Sequence, residues 1–241
     1  MLPYQDMWKW AMDNARPFIA RDPFPHVVID DFLPKEVAQS VLANCPQPGT
    51  AYWKRTDNDH TNNKHVTNHV FGTSLLKDLA FPPQTRQVMQ ELNSGCFLWF
   101  LRCLSGIEGL VGDPYYMEGG YHLVGNEGML GIHADFSHHT FIHLERRMNL
   151  LIYLNEEWKE EWGGFLELYD QDLKSVRKIA PVFNRAVIFE TSETSFHGHP
   201  QPMKLPEGKW RKSLALYYYS LPRAEREKHS IIFPKKEKLA A

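Results

Sequence analysis

Cysteine is scarce in this 241-residue chain. Its three, Cys45, Cys96 and Cys103, are an odd number without metal-type spacing. A disulfide scaffold and a thiolate zinc site are excluded, and reduced thiols in the cytoplasm are the expectation. An excess of charge of one sign is also missing. The 27 Lys and Arg stand against 29 Asp and Glu, a net charge of −2. Phosphate binding normally needs surplus Lys and Arg, so nucleic acid is not expected as a partner. No apolar run approaches the roughly 20 residues of a membrane span, so a membrane is not expected either. The opening "MLPYQDMWKWAMDN" has no apolar stretch before a cleavage site, and no secretory signal is expected. Internal repeats and low-complexity segments are lacking too.

What is present is a chain that is 43% hydrophobic, enough for one domain, 1–241, with a real core. Residues 1–109 read as helix-rich. "FPHVVIDDFLP" carries a short β-branched strand, and Pro34 suits the first turn of a helix over "PKEVAQSVLANC". "PPQTRQVMQELNSG" and "CFLWFLRCLSGI" have helical spacing, each ending near a glycine. The polar stretch "KRTDNDHTNNKH" (54–65) has no hydrophobic period and is expected to be a mobile loop, suited to a lid over substrate. Over residues 110–221 short apolar runs alternate with Gly- and Asn-rich turns, as in a β-sandwich or barrel. Residues 222–241, ending in "PKKEKLAA", read as a solvated tail. The fold class expected is α+β, mainly β: a jelly roll with helices packed outside.

The chemistry centres on "GIHADFSHH". Side chains two apart on a strand share a face, so His133 and Asp135 point into one cavity. Some sixty residues later "SFHGHP" follows the strand "AVIFE". Two histidines and one carboxylate on one face leave coordination positions open, as Fe(II) oxygen chemistry requires. His199 competes with His197 for the third place. His197 is preferred because the glycine after it gives the backbone room near a metal. His138, His139 and His143 read as polar surface residues or as residues behind the ligands. Arg211 opens the strand "RKSLALYYYS". An arginine fork there matches the far carboxylate of a chelating cosubstrate such as 2-oxoglutarate, and Ser213, on the same face, adds a donor.

With "HADF", "RRMNLLIYLN", "WGGFLELYD", "FNRAVIFE", "FHGHP" and "WRKSLALYYYS" in that order, the chain resembles the Fe(II)/2-oxoglutarate-dependent dioxygenases, in the branch related to prolyl 4-hydroxylases. The resemblance covers roughly residues 110–221. It implies a double-stranded β-helix with iron on His133, Asp135 and His197, which are then the catalytic centre. It implies 2-oxoglutarate and O2 as cosubstrates, with ascorbate as an accessory for sustained activity. Arg211 would hold the distal carboxylate of 2-oxoglutarate. Asn149, Leu151 and Tyr153 would face the cosubstrate pocket, with Tyr121 on the preceding hairpin. Arg146 falls where peptidyl-proline relatives place an arginine toward substrate. The loop "GHPQPMKLPEGKW" is longer than in many prolyl hydroxylases. Asp135 stands where related halogenases carry a small residue, which favours hydroxylation.

The function expected is hydroxylation of an unactivated C–H bond of a small molecule, such as an amino acid or natural-product intermediate. That expectation rests on the lack of an appended recognition domain. A prolyl residue of a protein or peptide is the alternative. A non-catalytic jelly-roll binding module and a metal enzyme that uses no 2-oxoglutarate are rivals, and neither needs Arg211 with Ser213.

Overall fold

In this computed structural model, residues 2–48, 54–58, 63–67, 81–174, 176–224 and 226–234 are described. The centre of the fold is one long strand, β12 (Arg211–Ser220), paired antiparallel on one side with β7 (Glu145–Tyr153). On its other side it pairs with β5 (Gly120–Val124) and, further along, with β4 (Val111–Gly112). The sheet extends through β10 (Ala186–Glu190) to β1 (His26–Ile29) at one edge. At the other edge it continues through β3 (Asn63–Thr67) to β2 (Lys54–Asn58). A second, four-stranded sheet has the order β6 (Leu130–His133), β11 (Phe196–His199), β8 (Leu166–Tyr169), β9 (Val176–Ile179). From β5 onward the chain passes back and forth between the two sheets, with β5, β7, β10 and β12 in the large one and β6, the β8–β9 hairpin and β11 in the small one, which is the double-stranded β-helix expected.

The period of two along each strand decides what the sheets bury. Met148, Leu150 and Ile152 of β7, with Leu214, Leu216 and Tyr218 of β12, face the helices. There they pack against α1 (Tyr4–Ile19), α2 (Lys35–Ala43), α3 (Pro83–Leu92) and α4 (Gly95–Ser105). The opposite faces, carrying Leu151, Tyr153, Val187 and Phe189, meet Leu166, Leu168 and Ile179 of the small sheet. Helix α4 has both ends sealed: the Ser94 hydroxyl accepts from Phe97 N, and Gly106, at φ 72°, donates to Arg102 O. Pro34 stands immediately before α2.

Two expectations need correction. Residues 54–58 and 63–67 are not an irregular loop but antiparallel strands, and β3 continues onto β5 through Val66 and Thr67. Backbone pairing to a sheet edge needs no hydrophobic period, so the sequence carried no signal for it. Residues 59–62, where a lid tip would fall, lie outside the described residues. The stretch after Leu221 is not simply a solvated tail. Arg223 pairs with Glu145, which is fully buried. Ser137 N donates to His229 O, and Ala134 and Ile232 exchange both backbone hydrogen bonds, so the segment lies as a strap along the stretch from Ala134 to Ser137 that follows β6. Residues 235–241 lie outside the described residues.

Candidate active site

His133 ends β6 and faces His197 across the β6–β11 ladder, with ring centroids 4.6 Å apart. Asp135 follows two residues after His133. Its carboxylate lies 3.6 Å from Nε2 of each histidine, Oδ1 toward His133 and Oδ2 toward His197. Potential ligand atoms of all three lie within 4.8 Å of one another, buried. A carbonyl only accepts, so His133 Nδ1 donates to Gly131 O and His197 Nδ1 donates to Ser195 O. Each Nε2 is therefore left with its lone pair toward the cluster. Burial pushes His197 down to about 4 against the pull of Asp135, so its ring is neutral. Burial would raise Asp135. The Arg146 guanidinium beside it outweighs that and holds it well below the ordinary carboxylate value. Two imidazole nitrogens and one ionised carboxylate, open on one side, fit a divalent iron.

His199 is buried on the same strand and borders the same cavity, but it is not part of the cluster. The glycine between the histidines has a different purpose from the one expected. A Cβ at Gly198 would stand 2.7 Å from Leu130 O and 2.9 Å from Gly131 O. Its absence lets β11 close on β6, not on a metal.

The cluster opens on a cavity of about 620 Å³, within the range of small-ligand sites. Arg211, Ser213, Leu151 and Leu166 line one part of it. Arg211 is buried; its Nε donates to Gly164 O at 2.7 Å and its Nη2 to the Tyr153 hydroxyl at 3.3 Å. The hydroxyl of Tyr153 thus orients the guanidinium from behind. Gly164 sits at φ 67° against Met203 and Arg211, where a side chain would collide. The long loop before β12 is pinned here: Met203 and Leu205 pack on Trp162 and Val124.

Other predicted residues fall elsewhere. Tyr121 is not a pocket residue. It lies on the alternate face of β5, buried under the helices, where its hydroxyl donates to Val41 O and meets Thr85. Asn149 borders the cavity, but its amide is committed to Asp135, to which Nδ2 donates at 2.8 Å. Arg146 is not directed at substrate by its donors. Nε serves Asn149 and Nη2 serves Asp135, while the guanidinium stacks 3.6 Å from the Tyr217 ring and 4.6 Å from that of Phe136. His139 is not on the surface: it is buried, with Nε2 3.0 Å from Asp113 Oδ1.

Sequence reasoning missed Tyr217, which shares the inward face of Ser213 four residues along β12. The period of two that found Ser213 would have found it. It also missed His229, Ser230 and Ile231, which the strap brings to the cavity. Nothing in the sequence pointed to those three.

Residues 119–219 match the 2OG-Fe(II) oxygenase superfamily. The chain is 39% identical over 57 residues to prolyl 3-hydroxylase OGFOD1 of Mus musculus, a match of 22% of this chain and 10% of that protein. It therefore spans only a small part of this curated relative. By fold it is similar to a prolyl-4-hydroxylase of Pseudomonas putida, with TM-score 0.61 and 15% identity over 87% of this chain and 98% of that one. It is also similar to a Trichoplax adhaerens prolyl hydroxylase solved with a hypoxia inducible factor peptide fragment, with TM-score 0.60 and 17% identity over 90% and 91%. The His-Asp-His cluster, a jelly roll like that of the prolyl hydroxylases and the match across β5 to β12 agree: residues 119–219 of this chain are similar to the 2OG-Fe(II) oxygenase superfamily.

Proposed function

We propose that this protein hydroxylates a prolyl residue within a peptide, with Fe(II) on His133, Asp135 and His197 and with 2-oxoglutarate anchored by Arg211. The observation that carries the cosubstrate assignment is Arg211 itself. It is a buried guanidinium that borders the cavity and has no carboxylate partner among the described residues. A buried cation without a counter-charge is costly, and the distal carboxylate of 2-oxoglutarate supplies that charge. Nε and one Nη2 hydrogen bond are spent on Gly164 and Tyr153, which leaves the rest of the fork for the carboxylate, with Ser213 as a further donor.

Iron in this seat supplies the activation of oxygen. The chain does the rest. His133 and His197 present lone pairs, and Arg146 keeps Asp135 ionised. Leu151 and Leu166 line the cavity beside the cosubstrate place and limit water there. The peptide preference is supported by the local likeness to a prolyl 3-hydroxylase and by the fold shared with prolyl hydroxylases. It takes up the peptide alternative read from the sequence in preference to the small molecule. The test is succinate release from 2-oxoglutarate with capped prolyl pentapeptides and with free amino acids, each with the Fe(II) protein. Coupling to peptides supports the reading; coupling to free amino acids alone overturns it.

A further inference from the structure

The rim of the cavity carries two imidazoles that the reaction does not use, His138 and His229. They come from different parts of the chain and are joined by one hydroxyl. Ser137 Oγ accepts from His229 N at 2.8 Å and lies 2.8 Å from His138 Nδ1, whereas its contact to His229 O is 3.3 Å. His229 O already accepts from Ser137 N at 3.0 Å. Placing the hydroxyl proton along the shorter of its two contacts directs it to His138 Nδ1. That fixes the neutral tautomer of His138 with its proton on Nε2, and this N–H has no partner among the described residues. Burial first, then Lys228 and His229, lower the pKa of His138, which favours this neutral form. His229 is the mirror case. Its Nδ1 lies 2.9 Å from Ser230 O, which can only accept, so Nδ1 carries the proton. His229 Nε2 is then an acceptor, and it is buried without a hydrogen-bond partner.

A buried acceptor with nothing to accept from is rare in a folded chain and marks a place for a ligand. One ring offers a donor and the other an acceptor, and both border the cavity that holds the metal cluster. A peptide amide offers the complement: a carbonyl for His138 and an N–H for His229. A carboxylate offers no N–H, and a hydrocarbon offers neither.

We propose that His138 and His229, fixed by Ser137, form an amide-binding subsite that holds the main chain of the substrate beside the residue to be oxidised. The inference rests on the peptide reading above and deepens it. The strap is then part of substrate binding, because its pairing to Ala134 and Ser137 brings His229 to the rim.

The experiment uses the Fe(II) protein with saturating 2-oxoglutarate and the best of a library of capped pentapeptides with a central proline. His229→Leu and His138→Leu are each expected to raise the peptide KM about tenfold, as loss of one buried hydrogen bond does, with KM for 2-oxoglutarate unchanged. His229→Gln and His138→Gln keep an acceptor and a donor near Nε2 and are expected to recover most of the loss. The same peptide with an ester in place of one secondary amide, such as the one that follows the proline, lacks that N–H; the bond before the proline has none to lose. The ester peptide is expected to bind wild type about tenfold more weakly and His229→Leu no more weakly than the amide does, a coupling that a purely structural role would not produce. If the ester costs wild type and His229→Leu alike at every secondary amide of the peptide, the subsite is overturned while the peptide reading stands. Equal costs combined with Gln rescue would assign the pair to a side-chain carboxamide instead, and would also overturn it as a main-chain site. If no prolyl peptide is turned over, the peptide reading fails and the subsite fails with it.

Discussion

Arg146 Nη2 lies 3.1 Å from Asp135 Oδ2, and the arginine side chain is almost wholly buried. The ligand carboxylate is thus held by an arginine that the sequence had placed at the mouth facing substrate. Removing one member of a buried ion pair costs about 3–5 kcal/mol. Arg146→Leu is expected to lower Tm sharply and to weaken Fe(II) binding more than tenfold. Arg146→Lys should fall between, because charge survives without the fork shared by Asp135 and Asn149. Anaerobic Fe(II) or Co(II) titration measures it; unchanged metal affinity in Arg146→Leu would show that Asp135 does not depend on the pair.

Arg211 should control the cosubstrate alone. Hydrogen bonds to a charged group are worth about 1.5–3 kcal/mol each, so Arg211→Ala is expected to weaken 2-oxoglutarate by more than tenfold and leave Fe(II) affinity nearly unchanged. Arg211→Lys should lie between. The metal-to-ligand charge-transfer absorbance of the anaerobic protein follows the titration. Equal affinity in wild type and Arg211→Ala would remove Arg211 as the anchor.

His139 is expected to matter for stability rather than for iron. Its Nδ1 accepts from Phe141 N and Ile142 N, and its Nε2 meets Asp113, which in turn accepts from Tyr115 N and Met117 N. The ring therefore ties together the two loops that supply Met117, Phe136 and Thr140 to the cavity wall. His139→Ala leaves a buried carboxylate short of a donor, a loss of about 1–3 kcal/mol. Denaturant unfolding should record that loss, with Fe(II) affinity close to wild type; a stability equal to wild type would contradict the clasp.

Gly198→Ala tests the closeness of β11 and β6. The added methyl meets two backbone carbonyls, which cannot rotate away, so the ladder must open. Overpacking of this kind costs about 1–3 kcal/mol. Because His197 pairs with His133 next to that point, metal affinity should drop together with Tm. A fall in Tm with intact metal affinity would separate strand packing from the site.

The strap should be pH-sensitive through Glu145. Burial would raise its pKa, but the hydrogen bonds and charge of Arg223 bring it below 4.5. A carboxylate whose folded value is depressed stabilises fully above its unfolded value and loses that contribution as pH falls through the folded value. Arg223→Ala should therefore lower Tm most above about pH 4.5, by the equivalent of about 1–3 kcal/mol. The two Tm curves should converge as pH falls further. A constant gap across that range would mean that the pair contributes no charge term.

Much of this protein was legible in the chain because its information is local. A period of two sorted β7 and β12 into a face for the helices and a face for the cavity, and it put His133 and Asp135 on one side. The order of short runs gave the jelly roll, and the single arginine opening β12 stood out as a carboxylate anchor. What the sequence could not decide were contacts between segments distant along the chain. Alternation says that Tyr121 has a face, but only the packing of α2 and α3 put that face among helices, away from Arg211. Glycine at 198 signals a close approach, but not that the approaching group is the carbonyl of Leu130. Arg146 is a charge in an "ERR" run until the fold brings Asp135 and Tyr217 against it. The strap is the clearest case. A polar segment with no hydrophobic period becomes part of the site because backbone donors and acceptors pair with the main chain of Ala134 and Ser137 just after β6 and with the hydroxyl of Ser137. The tertiary structure alone chose that pairing, since hydrogen bonds between main chains leave no mark in side-chain pattern.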